Sequence, residues 1–178
     1  QSAGFTHWAK LNNLKQAAKT MNFLTEHGIS SYGELESKLT AVSARRDTAH
    51  AEIKRIESRS AELALVMKHA GTYRQLKPLY DRYRKSNDKE KFLRGHESEI
   101  ILFEAAAREL KRLGAVPLPT TESMKTELAN LNAEKERLLA EYKAARTEAQ
   151  EYDTVKQNVD ALLTVPKEQE QQRRHELE

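Results

Sequence analysis

Apolar residues recur along this chain at alternating three- and four-residue steps, a spacing that lines up one stripe on a helix. Over residues 5–27, Trp8, Leu11, Leu14, Ala18, Met21 and Leu24 keep that step, and Gly28 stands where a helix C-terminus favours glycine. Ser31 and Glu34, in SSYGEL, then form the capping-box pattern that opens a new helix. From there the series Tyr32, Leu35, Leu39, Val42, Arg46, Ala49, Ile53, Ile56, Ser60, Leu63, Met67, Ala70 holds a 3.5-residue period over five heptads. So long a period predicts a coiled coil rather than a helix laid on a globular core. A second series runs Leu128, Leu131, Lys135, Leu138, Tyr142, Ala145, Ala149, Tyr152, Lys156, Val159, Leu163.

Two heptad arms in one chain, joined by a helical insertion, predict an antiparallel pair with Ala70 beside Met124 and Tyr32 beside Leu163. Arg46, Ser60, Lys135 and Lys156 interrupt the seam. Long Lys and Arg stems cover apolar surface while their charges reach water, and polar seam residues fix register. The N-terminal helix is expected to steady the open end through Trp8 and Leu11. The predicted fold is therefore all-α: a long antiparallel coiled-coil hairpin with a small helical cap between its arms. A single elongated domain over 1–164 comprises an N-terminal helix (5–27), a first arm (31–70), a basic cap (71–114) and a return arm (120–164). A polar, flexible tail over 165–178 follows.

The cap contains TYRQLKPLYDRYRKSNDKEKFLRGH, residues 72–96. Tyr73, Leu76, Tyr80 and Tyr83 continue the stripe beyond Ala70, which assigns the rings to the interior rather than to base stacking. Pro78 cannot donate its backbone hydrogen bond, so the helix is expected to kink or restart there. Asn87 and Asp88 are placed to cap a short helix from Lys89 to Arg94, ended by Gly95. A further helix from Glu97 to Leu113 carries Ile100, Ile101, Phe103, Leu110 and Leu113, and AVPLP turns the chain into the return arm.

The 178 residues are 32% charged and only 6% aromatic, poor in the bulky groups that fill a globular core, which agrees with a thin helical body. Cysteine is absent, excluding disulfides and Cys-ligated zinc, and no apolar run approaches the roughly 20 residues that span a bilayer. QSAGFTHW at the start lacks an initiator Met and the layout of a secretory signal, so the chain is expected to be a piece of a longer protein. Net charge is +3, yet residues 68–96 hold nine Lys/Arg against three acids, a local +6. That excess suits an anion-binding surface, although a solvated helix face is its commoner meaning. Arg74, Lys77, Arg84 and Lys85 fall off the apolar stripe. With Lys91 and Arg94 they form the candidate phosphate-binding set, sequence-independent and salt-sensitive.

Catalytic motifs are missing. The six histidines make no His-x-His or His-x-x-x-His pair, and the six glycines are scattered singly, so neither a metal seat nor a phosphate loop is in view. No cofactor is expected.

The stretches THWAKLNNLKQAAKTMNFLTEHGISSYGELESKL, YRQLKPLYDRYRKS and HESEIILFEAAARELKRL, spread over residues 5–164, resemble the C-terminal helical region of relaxases. These are the mobilisation nucleases of conjugative plasmids and integrative elements in Gram-positive, gut-type bacteria. In that family an N-terminal domain does the nicking, with a catalytic tyrosine and a histidine cluster holding a divalent metal. Neither has a matching position in this chain. The resemblance implies a non-catalytic module of a cytoplasmic bacterial relaxase, meeting DNA, relaxosome proteins or a type IV coupling protein, with no membrane contact and as a monomer or weak dimer. The alternative is a structural coiled coil for self-association, without a nucleic-acid role.

Overall fold

A computed structural model describes the backbone of residues 3–175 and the side chains of residues 12–163. The described chain is all-helical, in the order α1 (Ala3–Glu26), α2 (Tyr32–Lys85), α3 (Lys89–Arg112) and α4 (Thr121–His175). It divides into two compact units, Gln1–His50 with Leu139–Glu178 and Ala51–Leu138.

In the first unit, Leu35 and Val42 of α2 bury against Ala149, Tyr152 and Val155 of α4, with Phe23 and Leu24 of α1 and Ile29 closing the cluster. The Tyr32 hydroxyl donates to Asp160 over 2.7 Å, Arg45 pairs with Glu148, and His50 stacks on Tyr142 at 5.4 Å. Partner numbers fall as α2 advances, so the two segments run antiparallel there. In the second unit, Leu63, Val66 and Ala70 pack with Leu110, Ala115 and Met124. Lys135 reaches Glu57 at 2.7 Å, and Arg59 reaches Glu127 at 2.7 Å.

The heptad positions Leu35, Val42, Ala49, Ile53, Ile56, Leu63 and Ala70 are all buried, as are Leu138, Ala145, Ala149 and Tyr152. Val66 and Val155 are buried although they lie outside both series. The polar seam residues keep their charges in contact with partners. Lys156 holds Asp160 at 3.1 Å and lies 5.2 Å above the Tyr32 ring.

Helix ends follow local chemistry. Beyond α1, Gly28 at φ 60° lets its N–H reach Thr25 O and the Ile29 N–H reach Leu24 O. Gly114 at φ 68° repeats the arrangement beyond α3, towards Lys111 and Leu110. This left-handed stop closes off carbonyls that a helix end leaves bare. Ser31 Oγ accepts from Glu34 N–H at 3.2 Å, but the Glu34 carboxylate turns to Ser30, taking its N–H at 2.7 Å and its hydroxyl at 2.9 Å. Those bonds, the Ser30 backbone N–H first, hold the Glu34 pKa below the usual range. Asp88 caps α3 by accepting from Lys91 N–H at 3.0 Å.

Three expectations change. First, α2 does not break at Pro78 but continues to Lys85. The proline removes one bond, to the carbonyl one turn earlier. Tyr73 and Tyr80, on either side of it, both stack on Phe103 of α3, at 4.8 and 4.1 Å, and tie both halves to the same ring. Second, α1 packs by another face. Thr20 is buried and Phe23 meets Tyr152 edge-on at 5.2 Å, while Leu14 and Met21 of the expected stripe are 68% and 60% exposed. α4 offers the hydrogen-bonding Asn158 to this contact, and Thr20 accepts from it at 3.1 Å, so polar pairing sets the rotation. The Trp8 and Leu11 side chains lie outside the described residues. Third, Tyr32 meets Lys156 and Asp160 instead of Leu163, which stands 60% exposed. The phenol finds an acceptor one turn earlier than the leucine. The α4 backbone is helical to His175.

Within α3, His96 has φ −142° and ψ 26°, so the helix bends just after Gly95, where the sequence places a break.

Candidate functional site

The basic segment occupies the end of α2 and the start of α3, joined by Ser86, Asn87 and Asp88. Asp88 fixes this corner by capping α3, and the Ser86 hydroxyl donates to Asp88 O at 3.1 Å. Beneath it lies an aromatic floor. Phe103 is buried between Tyr73 and Tyr80, and Tyr83 leans on Tyr80 and Phe92 at 5.9 and 6.1 Å. The Tyr80 hydroxyl lies 3.4 Å from Glu104, and burial, then that carboxylate, pushes its pKa up. The tyrosines thus act as core.

All six candidate cations are solvent-exposed, but they do not form one set. The Arg74 guanidinium donates to Thr121 Oγ1 at 2.7 Å and to the Pro119 carbonyl, so it ties α2 to the start of α4. Lys77 is held by Asp81 at 3.0 Å, and hydrogen bonding to that carboxylate raises the lysine pKa. Both were expected to project freely; both have structural partners instead. Arg84, Lys85, Lys91 and Arg94 have no acidic partner among the described residues, and the same is true of Arg82 and Lys89. By contrast Arg45, Arg46, Arg55 and Arg59, earlier on α2, each meet a carboxylate.

Arg82 and Lys89 were omitted from the sequence-derived set, although both lie in the same run. The signal that recovers them is position: they flank the α2–α3 turn, whereas Arg74 lies nearly three helical turns before the end of α2. The α2 cations Arg82, Arg84 and Lys85 sit in its last turn, where the helix dipole favours positive charge. Lys89 and Lys91 open α3, where the same dipole disfavours it. Helix stability therefore accounts for one side of the corner and not for the other.

Elsewhere, a groove of about 600 Å³ between α1 and α4 is lined by Gln16, Lys19, Thr20, Glu151, Thr154 and Asn158, a mix of amides, hydroxyls and charged groups. His27 stacks on Phe23 at 3.9 Å, and His96 Nδ1 lies 3.7 Å from Glu99, beyond hydrogen-bond reach. Among the described residues no three His, Asp or Glu side chains cluster as a metal seat, and no helix is long and apolar enough to cross a membrane. Comparison of the chain with protein-family models, with curated proteins and with solved structures gives no match.

Proposed function

We propose that this chain is a non-catalytic helical module of a bacterial relaxase, acting in the cytoplasm and contributing DNA contact during conjugative transfer. The observation that carries the DNA contact is the corner at the α2–α3 turn, where six exposed Lys/Arg side chains have no acidic partner among the described residues. Phosphates are the natural complement of such a cluster, because neutralising them releases condensed counterions. The relaxase assignment rests on the sequence resemblance. The nicking groups would belong to another part of the parent protein, and the module would add affinity for the transfer origin or for a relaxosome or coupling protein.

The heptad seam supports a scaffolding role: within each unit, buried a/d residues and cross-helix pairs such as Arg45–Glu148 and Lys135–Glu57 suit a two-stranded antiparallel coiled coil. The same seam favours the second reading, a scaffold without a nucleic-acid role. Fluorescence anisotropy with labelled DNA at low salt separates the two. Binding at micromolar strength that the double variant Arg84→Glu/Lys85→Glu abolishes, with helicity retained, supports the DNA reading. No binding at about 50 mM salt, where phosphate contacts are strongest, leaves the scaffold.

A further inference from the structure

Resting on that DNA reading, we infer that the α2–α3 corner reads the phosphate backbone of duplex DNA with Arg82, Arg84, Lys85, Lys89, Lys91 and Arg94, with no base stacking and no part for Arg74 or Lys77. Single-strand binders of low sequence preference combine a basic groove with aromatic faces on which bases stack. The basic segment contains such rings, but the fold has spent them. Both Tyr73 and Tyr80 lie against Phe103, with ring planes 24° and 23° from its own, and Tyr83 is wedged between Tyr80 and Phe92. All three tyrosines are half-buried. Phe103, 6% exposed, covers one face of Tyr73 and one of Tyr80, so a base stacking there would have to displace it, and Tyr83 is engaged by Tyr80 and Phe92. What remains accessible is charge.

The arrangement of that charge fits a regular ladder of phosphates. Arg82 with Lys85, and Lys91 with Arg94, are spaced three residues apart, which puts each pair on one helix face. The two pairs belong to helices that meet at a three-residue turn pinned by Asp88, so the cations are held on helical backbone instead of on a loose loop. Guanidinium and ammonium groups placed this way contact phosphate oxygens without reading base edges. Arg74 and Lys77 drop out because their charges are already engaged, by Pro119 O and Thr121 and by Asp81.

The experiment is an anisotropy titration of the full chain against a labelled duplex of arbitrary sequence and against oligo-dT of equal length, repeated over a salt series. The duplex is expected to bind at least as tightly as oligo-dT, and the logarithm of its affinity to fall against log salt with a slope between about −3.6 and −5.4, the value for four to six neutralised phosphates. Lys91→Gln and Arg94→Gln should each reduce the slope by about 1. Lys77→Gln should leave both affinity and slope unchanged, and so should Tyr83→Leu, which keeps apolar volume and removes the ring. Preference for oligo-dT together with at least a tenfold loss in Tyr83→Leu would overturn the inference and leave the DNA reading standing. An equal slope change for Lys77→Gln and Lys91→Gln would overturn the division of the cations. Absence of binding to either probe overturns the DNA reading itself.

Discussion

Phe103 supports a quantitative test of how the basic corner is built. It is 6% exposed, and its ring stacks on Tyr73 and Tyr80 from opposite sides of Pro78 in the sequence of α2. Truncation to alanine removes about 3 kcal/mol of apolar burial. Each ring pair adds about 1 kcal/mol beyond area. Phe103→Ala should therefore cost about 5 kcal/mol, the upper end of the 3–5 kcal/mol seen for such truncations. For a chain of this size that corresponds to about 10–20 °C in Tm. Thermal unfolding followed by circular dichroism measures the loss, and Phe103→Leu, which restores most of the volume but neither stack, should recover about half. There is also a local signature: without the clamp, α2 should fray from Pro78 onwards, seen as fast amide exchange over residues 79–85. A loss below about 2 kcal/mol, or unchanged exchange there, would refute the claim that Phe103 keeps α2 helical through its proline.

Thr20→Val keeps the shape of a buried side chain but removes the acceptor for Asn158 Nδ2, and should cost about 1 kcal/mol in chemical denaturation. Asp160 has a lowered pKa, because the Tyr32 hydroxyl and then Lys156 favour its charged form. The stability it contributes is present above the unfolded-state carboxylate pKa, about 4, and is lost as pH falls through the lowered native value. Asp160→Asn should accordingly flatten the acid limb of a stability–pH curve and leave its neutral region parallel to that of the wild type. An acid limb of unchanged steepness counts against the Tyr32–Asp160–Lys156 contact.

Periodicity made the buried seam legible, because each of Leu35, Val42, Ala49, Ile53 and Ile56 has to be interior wherever a 3.5-residue stripe meets a partner. Caps were legible because they are local: Gly28, Ser31 and Asp88 satisfy helix ends within a few residues. What escaped depended on distant side chains. That α1 would turn Leu14 and Met21 outward was set by Asn158, more than a hundred residues away, and that Pro78 would not break α2 was set by Phe103. The division of the basic segment was half legible: the i,i+4 spacing of Lys77 and Asp81 already offers that lysine a partner, whereas the tie of Arg74 to Pro119 and Thr121 joins residues more than forty positions apart.

The docking of α1 has a consequence in time. Its described attachment is short: Phe23 and Leu24, with Ile29 just beyond the helix, reach the apolar cluster, and Thr20 and Gln16 share Asn158. Among the described residues the apolar attachment is limited to these, so residues 12–26 are expected to open locally at lower free energy than the seam of α2 and α4. Their amides should therefore report a clock of their own, faster than that of α2 and α4, and each opening uncovers Tyr152 and Val155 before the rest of the fold has moved.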